Sequence, residues 1–174
     1  TEQGGGNAAM LARVVGGDTS QLLGSLKADG KLFLINQRGV IVGEGATIDT
    51  AGFLASTLDV SDAEFLTGGA MTFKGHSSAG VVNLGRITAR EGNVMLFAHT
   101  VENAGEISAP NGTAALAAGT EMFLASPEDA SVVIKVNLPS AAAANGVENS
   151  GAIEAAQAEL KAAGIDVQPA IEKV

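Results

Sequence analysis

The chain has 174 residues, 46% of them hydrophobic, which is enough apolar surface for one domain with a buried core. Its net charge of −9, scattered rather than in runs, opposes binding to a nucleic-acid backbone, and the absence of cysteine removes disulfides, thiolate zinc sites and thiol catalysis. Twenty-three glycines, four prolines, six phenylalanines and no tyrosine or tryptophan describe many short elements around a narrow interior of small side chains.

Residues 1–10, with Gly4-Gly5-Gly6, are expected to be a flexible start, and Thr1 to Gly6 reads as a cut inside a longer protein. No cationic segment followed by an apolar one opens the sequence, and no apolar run of about 18 residues occurs in it. The first strand signal is Lys31-Leu32-Phe33-Leu34-Ile35, punctuated by Asp29-Gly30. Leu34-Ile35 and Val40-Ile41 then flank the polar turn Asn36-Gln37-Arg38-Gly39, all four residues of which are expected at the surface. Ser61-Asp62-Ala63-Glu64 is a capping-box pattern, predicting one helical turn that ends at Gly68-Gly69.

The chain next repeats itself. Asn-x-Gly-x-Ile occurs at Asn83-Gly85-Ile87, Asn103-Gly105-Ile107 and Asn149-Gly151-Ile153, and the first two copies are 20 residues apart and stay in phase through Gly92 and Gly112. A unit of about 20 residues with alternating apolar side chains cannot close a core alone, whereas stacked copies can, hydrogen-bonded at about 4.8 Å. The pattern predicts an all-β fold: a right-handed parallel β-helix, or β-solenoid, with coils of about 20 residues and small extra-helical excursions. Gly30, 62 residues before Gly92, is expected to lie about three coils below it. Asn83, Asn103 and Asn149 are expected to stack as a structural amide ladder.

Two segments break the period: the helical turn near residue 61, and Pro127 to Asn145, with an apolar strand over Val132 to Leu138. Both are expected to cover a face or an edge of the stack. Residues 155–163 have the composition of a helix, yet Ala156, Ala158, Leu160 and Ala162 alternate with polar residues where earlier copies place a strand, so a strand is expected. The whole of 1–174 reads as one β-helix domain fragment.

Ile35 to Gly43, Ala46-Thr47-Ile48-Asp49 and Gly52-Phe53-Leu54-Ala55-Ser56-Thr57-Leu58-Asp59 together resemble the two-partner secretion domain, the filamentous-haemagglutinin-like (haemagglutination activity) domain that opens large exported bacterial adhesins and haemolysins. Arg13-Val14, Ser20 to Leu26, Asp62, Phe65-Leu66 and the Asn-x-Gly-x-Ile copies fit the same pattern. The resemblance runs over about residues 11–155 and leaves 156–174 as a further, truncated coil. The family commonly has Asn-Pro-Asn-Gly where this chain has Asn36-Gln37-Arg38-Gly39, and its amino-terminal part and signal peptide are expected to lie outside the sequence. The resemblance implies export to the periplasm, capture by periplasmic modules of an outer-membrane β-barrel transporter, passage while unfolded and folding outside. It makes Asn36, Gln37, Arg38 and Gly39 candidates for transporter recognition, and leaves contact with a host or neighbouring cell surface to the full-length protein.

Catalytic chemistry finds no candidate. His76 and His99 lack metal-ligand spacing, and no Gly-x-Ser-x-Gly elbow is present. Polysaccharide-cleaving β-helices use carboxylates aligned along one turn, but here Arg86 shares a coil position with Glu106, and Glu91 with Asn111. The expectation is a non-enzymatic module without metal or cofactor, secreted or on the bacterial surface, that serves transporter-directed export and acts as the folding start or stalk of an adhesin. The alternative is a passive spacer or ligand-binding segment of a surface β-helix without transporter recognition.

Overall fold

The computed structural model describes residues 8–67, 70–124, 134–137, 146–162, 167–168 and 172–173. The strands follow in layers. The first layer is β1 (Ala9–Arg13), β2 (Ser20–Leu22) and β3 (Ser25–Lys27), and the second is β4 (Lys31–Ile35), β5 (Val40–Val42) and β6 (Thr47–Thr50). The third opens with β7 (Gly52–Ser56), is interrupted by α1 (Asp62–Thr67) and β8 (Met71–Lys74), and resumes in β9 (Gly80–Asn83) and β10 (Arg86–Ala89). Then come β11 (Val94–Ala98), β12 (Thr100–Asn103) and the long β13 (Glu106–Ala118), which turns a corner into the fifth layer. A second interruption holds β14 (Glu121–Leu124) and β15 (Ile134–Asn137), before β16 (Val147–Asn149), β17 (Ala152–Ala162), β18 (Val167–Gln168) and β19 (Glu172–Lys173).

Each layered strand pairs in parallel with its counterpart in the next layer. One face runs β1, β4, β7, β11 and the end of β13; another runs β3, β6, β10 and the start of β13, and the corner strands β13 and β17 join these two into a ten-stranded sheet. The third face is the six-stranded sheet β2, β5, β9, β12, β16, β18. The fold is therefore all-β and mostly parallel; among the described strands β8, β14 and β15 pair antiparallel. Register follows the repeat, with Ile48 beside Ile87, Ile87 beside Ile107 and Ile107 beside Ile153.

Two cores explain two kinds of strand. In β6 and β10 only alternate residues point inward, so Ile48 and Ile87 are buried while Thr47 and Arg86 face water. Strand β11 throughout, and β4 after its first residue Lys31, are apolar because both of their sides are covered. Leu32, Leu34, Val94 and Leu96 enter the interior between the three faces, whereas Phe33, Ile35, Met95 and Phe97 point outward into a second core with Leu58, Met71, Phe73 and Met122. The excursions supply that cover. Phe65 of α1 meets Phe33 edge-on at 5.3 Å, and Phe73 of β8 meets Phe97 at 5.4 Å, pairs that contribute about 1 kcal/mol each beyond their burial.

Half of the capping box at residue 61 forms: the Glu64 amide donates to Ser61 Oγ at 3.2 Å, while Glu64 Oε2 accepts from the Ser61 hydroxyl, at 2.9 Å, in place of the Ser61 amide. Glu64 Oε1 also accepts from the Thr72 amide at 3.1 Å, tying α1 to β8. The stop expected at Gly68-Gly69 lies outside the described residues. So does most of the excursion expected over Pro127 to Asn145, of which Ile134–Asn137 is a strand against β14. Residues 152–162 are a strand, as the alternation requires, with Ala155 beside Ala109 and Ala158 beside Ala114.

The spacing of Gly30 and Gly92 was misleading as a count of coils. Ala51 N donates to Gly30 O and Gly92 N to Ala51 O, so the two glycines are two layers apart rather than three. The third layer contains α1 and β8, and that inserted length mimicked one extra coil.

Candidate functional site

The turn between β4 and β5 is closed by its own side chains. Asn36 is 1% exposed: its Nδ2 donates to Asp18 O at 2.9 Å and to Ser20 Oγ at 2.8 Å, while its Oδ1 accepts from the Arg38 amide at 2.9 Å. The Gly39 amide donates to Asn36 O at 3.0 Å. Gly39 has φ of 109°, and a Cβ there would lie 3.1 Å from Gly80 O, so glycine is required both by conformation and by the layer above. Asn36 and Gly39 thus depart from the expectation of a fully exposed turn, because an amide able to satisfy three backbone and hydroxyl groups is worth more inside than in water. Only Gln37 and Arg38 are exposed.

Their backbone is nevertheless pinned. Thr19 Oγ1 donates to Arg38 O at 2.8 Å, and Ser77 Oγ, from the segment leading into β9, donates to Gln37 O. These bonds close the turn in a sequence that has no proline to preset it.

Beside this turn lies a cleft of about 390 Å³ whose walls include Val14, Val15, Gly16, Gln37 and Arg38, with Arg13 at one end. Arg13 joins the first layer to the excursion. Its Nε donates to Asp59 Oδ1 at 3.0 Å, its Nη1 to Asp62 Oδ1 at 3.0 Å and its Nη2 to Val60 O at 2.8 Å. Hydrogen bonding to Asp62 and then Asp59 raises the guanidinium pKa above its ordinary value. Arg13 and Asp62 each fit the family pattern, but no spacing rule in the sequence connects them, and Val15 carries no signal there beyond being an apolar residue before Gly16-Gly17.

Asn83, Asn103 and Asn149 come together elsewhere, at the buried corner after the third face. Asn83 Nδ2 donates to Asn103 Oδ1 and Asn103 Nδ2 to Asn149 Oδ1, each at 2.8 Å. The adjoining glycines stack as closely: a Cβ on Gly105 would fall on Gly85 O, and one on Gly151 on Gly105 O. On the neighbouring face, Arg86 Nε donates to Glu106 Oε2 at 2.6 Å across one layer. Among the described residues no group of three or more His, Asp or Glu side chains could hold a metal ion.

Sequence comparison assigns this two-core, mostly parallel fold to a family of secretion domains. The family model of the TPS secretion domain matches residues 2–171, wider than the resemblance over about residues 11–155, and the chain belongs to that family. A heme/hemopexin-binding protein of Haemophilus influenzae strain Rd is 35% identical over 168 residues, covering 91% of this chain and 18% of the relative. A second Haemophilus influenzae protein of that name is 48% identical over 59 residues, covering 34% of this chain and 6% of the relative. The crystal structure of the HMW1 secretion domain from Haemophilus influenzae superimposes with a TM-score of 0.70 at 31% identity, covering 90% of this chain and 44% of that one. The chain therefore spans under a fifth of the length of the two relatives. None of these proteins is named as an enzyme.

Proposed function

We propose that this chain directs the export of a two-partner secretion exoprotein by engaging periplasmic modules of an outer-membrane β-barrel transporter, and that outside the cell its layers form a right-handed parallel β-helix that starts solenoid folding and carries an adhesin stalk. The family match over residues 2–171 is the observation that carries the reading. Within it, Gln37 and Arg38 contact the transporter, Asn36 and Gly39 shape the turn that presents them, and Asn83, Asn103 and Asn149 bind successive layers.

The rival reading, a passive spacer or ligand-binding segment of a surface β-helix, draws on one observation: Gln37 and Arg38 stand where the family commonly has Pro and Asn. Expression of the full-length exoprotein with and without its transporter separates the two. Export that needs both the transporter and residues 11–155 supports the first reading; export unchanged when these residues are deleted leaves the spacer.

A further inference from the structure

We infer that Asn111-Gly112 is a self-modification site, active in the unfolded chain and silenced by stacking, so that a chain kept unfolded progressively loses the ability to close its fifth layer. The chemistry needs only an unfolded chain, whatever brings that state about, and water as co-reactant.

The residue pair sets the reaction. The Gly112 amide nitrogen gives its proton to base and attacks Asn111 Cγ; the new C–N bond closes a succinimide ring, and the side-chain nitrogen leaves as ammonia. Water then opens either ring carbonyl, giving Asp or isoaspartate, and in the second product the main chain runs through the former side chain. A side chain on the following residue would crowd the attacking nitrogen, and glycine has none. Two asparagines of this chain precede glycine, Asn111 and Asn145, and Asn145 lies outside the described residues.

Stacking closes the route. Gly112 is buried, and a Cβ on it would overlap Gly92 O and crowd Asn93 Oδ1, so the backbone that must turn toward Asn111 Cγ is packed against the layer below. The Thr113 amide donates to Asn93 Oδ1 at 2.8 Å, and Asn111 Nδ2 donates to Arg90 O at 3.0 Å, which fixes the chain on both sides of the reacting pair. Asn111 itself is exposed, because the layer above takes a shorter path: Pro110, Asn111 and Gly112 separate Ala109 from Thr113, whereas Ala156 alone separates their partners Ala155 and Gln157. The fold therefore withholds the geometry of attack while water still reaches the side chain.

The isoaspartate product is harmful because of its length. Ser108 pairs with Thr88 and Ala114 with Val94, so the corner between them holds equal numbers of residues in the two layers. Isoaspartate adds one main-chain carbon to that corner and breaks the match on which the register depends. Asp keeps the main chain unchanged at an exposed position.

The test ages the 174-residue chain carrying Asn145→Gln, which leaves a single Asn-Gly step, in mildly alkaline buffer, unfolded in denaturant and folded without it. Peptide mass spectrometry should show Asn111 converting about tenfold or more faster in the unfolded sample. On dilution from denaturant, the refolded fraction should fall by the share of isoaspartate formed at residue 111. A chain that also carries Asn111→Gln, whose larger ring closes slowly, should refold after ageing like fresh protein, and Asn111→Asp, which supplies the other product directly, should refold and melt like the wild type. Equal conversion in folded and unfolded samples, or none in either, overturns the inference. So does an isoaspartate-containing chain that refolds to the wild-type midpoint, and so does an Asn111→Asp chain that fails to refold, since that assigns the loss to charge and not to length.

Discussion

Arg13 and Asp62, 49 residues apart, meet at 3.0 Å and lock the end of the first strand to the start of the excursion helix. The same guanidinium reaches Asp59 and the Val60 carbonyl, so one side chain closes three contacts around the end of the cleft.

Arg13→Ala should lower stability by about 1 kcal/mol, a modest figure because the pairs are partly exposed and screened. The loss should shrink in high salt. Arg13→Lys should recover less than half of it, because an ammonium cannot hold Asp59, Asp62 and Val60 O with one planar fork. Equal denaturation midpoints for wild type and Arg13→Ala at low salt would show that the lock carries no weight.

Asn36→Ala should cost about 2 kcal/mol, since it strands the Asp18 carbonyl, the Ser20 hydroxyl and the Arg38 amide. Gln37→Ala and Arg38→Ala should stay within about 0.5 kcal/mol of wild type, as surface changes do. Chemical denaturation of the three variants checks the contrast, and an Asn36→Ala midpoint equal to the other two would return Asn36 to the surface.

The asparagine column makes a further demand. Asn103 both donates and accepts within it, so Asn103→Ala leaves the Asn149 oxygen and one Asn83 donor without that partner, at about 1–3 kcal/mol. Asn111→Ala, at an exposed position, should be nearly neutral. Thermal melts that moved by the same amount for both would mean the column is decorative.

Glycines of the same composition should behave in opposite ways. Gly105→Ala forces a methyl group onto the Gly85 carbonyl of the layer below and should cost about 3 kcal/mol or more, or prevent folding. Gly17→Ala meets open space and should leave stability unchanged or raise it by up to about 1 kcal/mol. A well-folded Gly105→Ala protein with the wild-type midpoint would contradict the layer spacing described here.

Much of this fold is legible locally. Alternation in Thr47 to Thr50 and the Asn-x-Gly-x-Ile copies specify one-sided strands and their register, because side-chain period and repeat length act over neighbouring residues. The strand at 152–162 was readable for the same reason, its alternation outweighing helix propensity once a layer waited beside it. What no local pattern contained was the meeting of distant pieces. The two-layer distance from Gly30 to Gly92 and the junction of Arg13 with Asp62 depend on how an inserted excursion folds back over the outer face, and the burial of Asn36 depends on Asp18 and Ser20 of the layer beneath it. Side-chain period and turn chemistry therefore determined the strands and the stack, while the second core under α1, β8 and β14 arises only when apolar residues far apart in sequence are brought together to exclude water.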